Sequence, residues 1–340
     1  MARSLFPAFL IACLLLAGSS CRHADRQAGD KAAAQLSPEA AAWTDSIRAH
    51  PDSARFYAER ARAFYRQKQY VPAGRDLEKA IQLSPAEAGY YFALGETEDA
   101  LGKWQQAAGH FRQALQKAPA NPQPYLRLAY IYFQHRQYPA ALQLLDSLLD
   151  QHPGTAEGYG LRSQVLQEKG DTLAALPDMR KAVTLQPGNY DALMALGDLL
   201  GHLRKNEALR WYRRAYLLDT TRAEPLYAQA VFHEQQHDLS AALEQYRQSI
   251  STDRYYIPAY LGLGKIYMRG RQWKQALHIF TMATQVEPAG AEAFYQRGRC
   301  YEALDDSHRA VEDYRQAAAL DSGYEAPRTA LERLHSGGKK

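Results

Sequence analysis

An alanine returns along this chain at Ala73, Ala107, Ala141, Ala175, Ala208, Ala242, Ala276 and Ala310, in steps of 34 residues with a single step of 33. No composition effect produces such a column, so the chain is an array of equal units, none of which can bury its apolar face alone. The clearest unit is 257–290. Large apolar residues stand there at Tyr260, Leu263, Tyr267, Trp273 and Phe280, small ones at Gly264, Ala276 and Ala283, and Pro288 closes the unit. The spacing predicts two short amphipathic helices, A and B, joined by a turn at Gly270-Arg271-Gln272. Small residues at positions 8, 20 and 27 mark places where one helix crosses another closely, and the large residues fill the grooves beside them.

The register extends over eight units starting near Ala54, Ala88, Pro122, Ala156, Tyr190, Ala223, Ile257 and Ala291. Position 8 is Ala61, Gly95, Ala129, Ser163, Gly197, Ala230, Gly264 and Gly298, and a closing proline recurs as Pro85, Pro119, Pro153, Pro187 and Pro288. The 33-residue step predicts a shortened turn around Leu203–Asn206. This pattern resembles the tetratricopeptide repeat. The resemblance implies an all-α fold, a right-handed superhelical solenoid of antiparallel helix pairs with the A helices lining a concave groove. Composition agrees with an all-helical chain, since Ala, Leu, Gln, Arg and Tyr dominate and β-branched residues are few. A net charge of +4 spread without a basic run gives no footprint for nucleic acid. Cys13, Cys21 and Cys300 form no spaced pair suited to a metal or a redox couple, and no cofactor or small-molecule substrate is expected.

Outside the repeats, 1–20 reads as a signal peptide with Arg3 as a weak basic start and an apolar stretch from Leu5 to Ala17. Gly18-Ser19-Ser20-Cys21 resembles the lipobox of bacterial lipoproteins, which implies lipidation of Cys21 and a palmitate-type anchor. Gly18 departs from the leucine that motif prefers, so an ordinary secretory signal cut near Ser19 is the competing reading. Residues 21–36 read as a flexible tether reaching about 20–25 Å. Residues 37–51 read as an N-terminal capping helix opened by Ser37-Pro38-Glu39, 52–322 as the eight repeats, 323–336 as a C-terminal capping helix and 337–340 as a disordered tail. The expected place is the bacterial cell envelope, lipid-anchored at the periplasmic face of the outer membrane.

The resemblance places positions 2, 5, 9, 12 and 13 of each A helix on the groove. The candidate partner-binding residues are Arg62, Arg66, Phe92, Glu96, Tyr130, Phe133, Lys265, Arg269 and Arg299. Arginine pairs with carboxylates and aromatic rings give contact area at low entropy cost, so the expected partner is a peptide or helical segment of an envelope protein. Assembly of an envelope machine, bridging to wall-synthesis enzymes and holdase-type capture of unfolded proteins all fit. One stretch suggests an enzyme instead. Residues 233–237, HEQQH, match the zinc-peptidase pattern in which His233 and His237 bind metal and Glu234 activates water. The register opposes it: His233 stands at position 11, where sibling repeats carry Phe64, Tyr132, Leu166, Tyr267 and Tyr301, and His237 falls at position 15, in the turn. The expectation is a non-catalytic chain that holds no metal.

Overall fold

The computed structural model describes residues 36–337, with side chains to residue 335, and every regular element among them is an α-helix. The signal peptide, Cys21, nearly all of the tether and the last three tail residues lie outside the described residues. A single helix, α1 (Pro38–Ala49), precedes the pairs, and the Ser37 hydroxyl caps it by accepting from the Ala40 N–H at 3.2 Å. The A helices of the eight repeats are α2 (Ala54–Arg66), α4 (Ala88–Ala100), α6 (Pro122–Gln134), α8 (Ala156–Glu168), α10 (Tyr190–His202), α12 (Glu224–Gln235), α14 (Ile257–Arg269) and α16 (Ala291–Ala303). Their B partners are α3 (Tyr70–Leu83), α5 (Trp104–Lys117), α7 (Tyr138–Gln151), α9 (Thr172–Leu185), α11 (Glu207–Leu218), α13 (Leu239–Thr252), α15 (Trp273–Val286) and α17 (Ser307–Leu320). A last helix, α18 (Glu325–Gly337), packs on α17. The all-α helical-repeat fold expected from the columns is the one found.

The small columns are the packing seams. All eight alanines of position 20 have zero exposure. Opposite them, a methyl group built on Gly264 would stand 2.4 Å from the Phe280 ring, one on Gly197 2.5 Å from Tyr212 and one on Gly298 2.7 Å from Tyr314. Position 8 must therefore be small because the ring at position 24 of the same repeat lies flat against it. Where position 8 is Ser163, its buried hydroxyl donates to the Ala175 carbonyl at 2.9 Å, so no polar group is left unsatisfied.

Each A helix ends the same way. The position-16 N–H donates to the position-11 carbonyl, as in Gln69 to Phe64 and Gln272 to Tyr267, both at 2.9 Å, closing a Schellman turn that requires a left-handed residue at position 15. Gly102 and Gly170 supply it in two repeats, but Lys68, Arg136, Arg204, His237, Arg271 and Asp305 hold it in the others at φ of 53–64°. The glycine in the turn of 257–290 is not the residue that needs the freedom: Gly270 sits at φ −77° and Arg271 at +54°.

The missing residue of the fifth repeat is not in the turn. Four residues separate α10 from α11, against three in the other repeats, and α11 has 12 residues where other B helices have 14. The deletion falls in the first turn of the B helix. The shortening costs little, because the Ala208 and Leu209 N–H groups donate shorter-range bonds to the Lys205 and Asn206 carbonyls at 2.9 and 3.2 Å. The Schellman turn, which reverses the chain, is kept.

The array forms two compact units, one ending at Gln151 and one beginning at His152. In three repeats an arginine at position 7 and an aspartate at position 23 form a two-pronged ion pair between A and B: Arg60 with Asp76, Arg162 with Asp178 and Arg297 with Asp313, at 2.6–2.8 Å. Arg60 and Arg297 also donate to Thr44 and Thr284 of the preceding helix at 3.1 and 2.8 Å, so one guanidinium ties three helices.

Candidate partner-binding clefts

In the first unit a cleft of about 550 Å³ lies between α2 and α4, floored by Ala61, Leu77 and Ala93. Three of the sequence-predicted residues, Arg62, Phe92 and Glu96, line it together with Tyr65 and Tyr90. Among the described residues Arg62 pairs only with Glu59 of its own helix, at 3.2 Å. Phe92 packs on Phe111 with centroids 5.5 Å apart, and Glu96 reaches Arg127 of α6 at 3.1 Å. Burial pushes the Glu96 carboxyl above its ordinary range, against the pull of Arg127. The other three predicted residues of this unit do not line the cleft. Arg66 pairs with Glu39 of α1 at 2.9 Å, while Tyr130 and Phe133 neighbour each other at 6.4 Å.

The second unit carries a cleft of about 900 Å³ across α12, α14 and α16, which gathers Lys265, Arg269 and Arg299. Two ion pairs join consecutive A helices here, Glu234 with Arg269 at 2.5 Å and Lys265 with Glu292 at 2.6 Å. Glu234 also accepts from the Tyr246 hydroxyl at 2.9 Å. Burial, and then the Glu234 charge, raise the Tyr246 phenol, so it stays a donor over the physiological range. Arg299 donates to the Gln296 amide oxygen at 3.1 Å and leans on the Tyr295 ring at 5.9 Å.

Sequence reasoning passed over Tyr90, Tyr227, Trp273 and Glu292, which line these clefts. Tyr227 and Glu292 stand at positions 5 and 2 of their repeats, so the same columns carried through the sixth and eighth repeats find them. Tyr90 and Trp273 stand outside those columns and have no such signal.

The HEQQH stretch does not form a zinc-peptidase face. His237 lies beyond the end of α12 at φ +62°, and His233 approaches Asp238 at 3.7 Å. About a fifth of the His233 side chain is exposed, more than the aromatic residues Phe64 and Tyr132 of the same column. No group of three His, Cys, Asp or Glu that could hold a metal occurs among the described residues. No described helix is long and apolar enough to cross a membrane.

Profiles described as tetratricopeptide repeat match residues 99–165, 161–225 and 261–325. Among curated proteins the chain is 23% identical over 290 residues to the DnaJ protein P58IPK homolog of Arabidopsis thaliana, covering 76% of this chain and 60% of the relative. It is also 23% identical over 340 residues to DnaJ homolog subfamily C member 3 of Gallus gallus, covering 89% and 66%. The chain thus spans about three fifths to two thirds of the length of these relatives. Among solved structures, the C-terminal part of a TPR repeat-containing protein from Cytophaga hutchinsonii matches with a TM-score of 0.56 at 16% identity, covering 71% of this chain and 98% of that one. A tetratricopeptide repeat protein from Parabacteroides merdae matches at 0.53 and 19%, covering 73% and 98%. These likenesses show the fold.

Proposed function

Because this chain belongs to the tetratricopeptide-repeat family, whose members generally bind protein partners and are typically not enzymes, we propose that it is a non-catalytic scaffold for segments of bacterial envelope proteins. The observation that carries this reading is the pair of clefts on the A helices, each with an apolar or aromatic floor and a charged rim. That is the make-up of a surface that takes apolar anchors and sorts them by charge. The chain is held by a lipid on Cys21 at the periplasmic face of the outer membrane, a reading supported by the Gly18-Ser19-Ser20-Cys21 sequence after an apolar stretch.

A pull-down from detergent-solubilised envelopes tests the scaffold, with a chain carrying Arg62→Glu and Tyr130→Ala as the comparison. Partners captured by the unaltered chain and lost by the variant are expected. An identical set from both removes the groove of the first unit from the function, and capture of any unfolded polypeptide without selection replaces the scaffold by a holdase. A Cys21→Ser chain tests the anchor: it should lose lipid labelling and leave the membrane fraction. About one zinc per purified chain, lost on His237→Ala, would make the HEQQH peptidase the correct reading.

A further inference from the structure

The inner face of the second unit is electrically lopsided. Next to the cleft described above, a smaller one of about 310 Å³ lies between α10 and α12, and Tyr227 and Val231 line both, so the two adjoin along α12. The α10 end presents the carboxylates of Asp198 and Glu224, with His202 as the sole basic side chain among the lining residues. Asp198 accepts from the Tyr212 hydroxyl at 2.9 Å, and Glu224 meets Arg222, outside the lining, at 3.2 Å. At the α16 end the Glu234–Arg269 and Lys265–Glu292 pairs cancel. They leave Arg299, which donates to the neutral Gln296 amide and pairs with no carboxylate among the described residues. With pairs counted alike, Arg222 cancels Glu224, so Asp198 carries the negative surplus at one end and Arg299 the positive one at the other, with Tyr227, Val231 and the closed Glu234–Arg269 pair between.

The middle of the groove is built in advance. A methyl group on Gly262 would stand 2.5 Å from the Tyr246 ring, so that ring lies flush on α14 with its hydroxyl pinned by Glu234, which the Arg269 ion pair also fixes. A floor and rim locked this way lose little freedom when something lies on them.

From this charge complementarity we propose that the groove from α10 to α16 binds a segment of a partner protein with charges of opposite sign at its two ends, a basic side chain over Asp198 and Glu224 and an acidic one over Arg299. An apolar side chain sits between them at Tyr227 and Val231. Three helix-to-helix steps of about 8–10 Å separate the ends. An extended segment covers that span in about eight or nine residues. The proposal rests on the scaffold reading and adds the chemistry of the partner.

Fluorescein-labelled twelve-residue peptides of Ser, Leu and Tyr test it against the full chain, with Lys and Glu, Glu and Lys, Lys and Lys, Glu and Glu, or Gln and Gln at positions 2 and 10. Both opposite-sign peptides should bind about ten-fold or more tightly than the others, the difference shrinking with added salt. Arg299→Glu should move the preference to the Lys/Lys peptide, and Asp198→Lys with Glu224→Lys should move it to Glu/Glu. These residues are on the surface, and an unchanged circular dichroism spectrum verifies that the variants fold. Equal binding of all five peptides, or a preference that Arg299→Glu leaves intact, overturns the proposal. If that happens while envelope partners are still captured and lost with Arg62→Glu and Tyr130→Ala, the scaffold stands and only the polarity of this groove falls. No peptide bound and no partner captured removes both.

Discussion

The two units run on the same 34-residue pattern, yet their clefts are closed in different ways. In the first, no ion pair crosses from α2 to α4 among the described residues: Arg62 is held within its own helix and Glu96 turns away to α6. In the second, α12, α14 and α16 are strapped together by Glu234–Arg269 and Lys265–Glu292 across the cleft. A pair three residues apart on one helix is worth about 0.2–0.5 kcal/mol and is readily exchanged for a partner's charge. A strap between helices, with Tyr246 behind it, sets the width of the groove. The lesson is that repeat columns place charges on the inner face, while the pairs they form across 27–35 residues decide whether a rim is pliable or fixed.

The largest expected effect probes the second unit alone. Cys300 has zero exposure, and burial pushes its thiol to about 12. Against an ordinary value near 8.5, its thiolate fraction at pH 8 falls about a thousand-fold. In a chain with Cys13→Ser and Cys21→Ser, native alkylation should be slower by that order and should appear with denaturant only as the second unit opens. Rapid native labelling would show that α16 is not packed as described.

The next test breaks a three-helix tie in each unit. Arg60→Met and Arg297→Met strand Asp76 and Asp313, which are 7% and 5% exposed, and each should cost about 3–5 kcal/mol in urea unfolding. Adding Asp313→Leu to Arg297→Met should recover most of the loss. A single variant costing under about 1 kcal/mol would mean the pair is open to water.

Gly264→Leu and Ala276→Leu overpack the A–B crossing of the seventh repeat and should cost about 1–3 kcal/mol. Gly74 of the first unit, whose added methyl would meet nothing nearer than 3.8 Å, should accept alanine without loss. Neutral behaviour at both Gly264 and Ala276 would show that the register is displaced. Smaller still, Lys68→Gly and Arg271→Gly relieve left-handed residues in one turn of each unit and should raise stability by about 0.5–1 kcal/mol.

The smallest effect has opposite signs in the two units. Burial raises Glu96, so its charge costs stability above its folded pKa, a cost that fades as pH falls and is absent below about 4.3. Glu96→Gln should therefore raise the unfolding midpoint at pH 7 and lose its advantage on acidification. Arg180 bonds Glu207 at 2.8 and 2.6 Å and holds it below the ordinary range, so that stability is present above about 4.3 and lost as pH falls through the folded pKa. Glu207→Gln should lower the midpoint at pH 7 and converge with the unaltered chain in acid. Curves of the same sign would mean that the Glu96–Arg127 pair outweighs burial.

The alanine column by itself determined the helix pairs, their register and the faces that meet, because close approach of two helices admits no bulk at a crossing and so leaves its mark at fixed sequence intervals. The groove-facing sides of the A helices were legible for the same reason. Which of those residues share a cleft was not: Arg62 and Glu96 come together, while Arg66 and Tyr130 turn elsewhere, by rotamer and by distance to helices 27 or more residues away. The Arg–Asp ties repeat at a spacing of 16 and were open to inspection, but only their two-pronged geometry separates a tie from two surface charges. The place of the missing residue in the fifth repeat was also a tertiary decision. A B helix can lose part of its first turn and keep its packing at Ala208, whereas the Schellman turn before it cannot lose a residue and still reverse the chain.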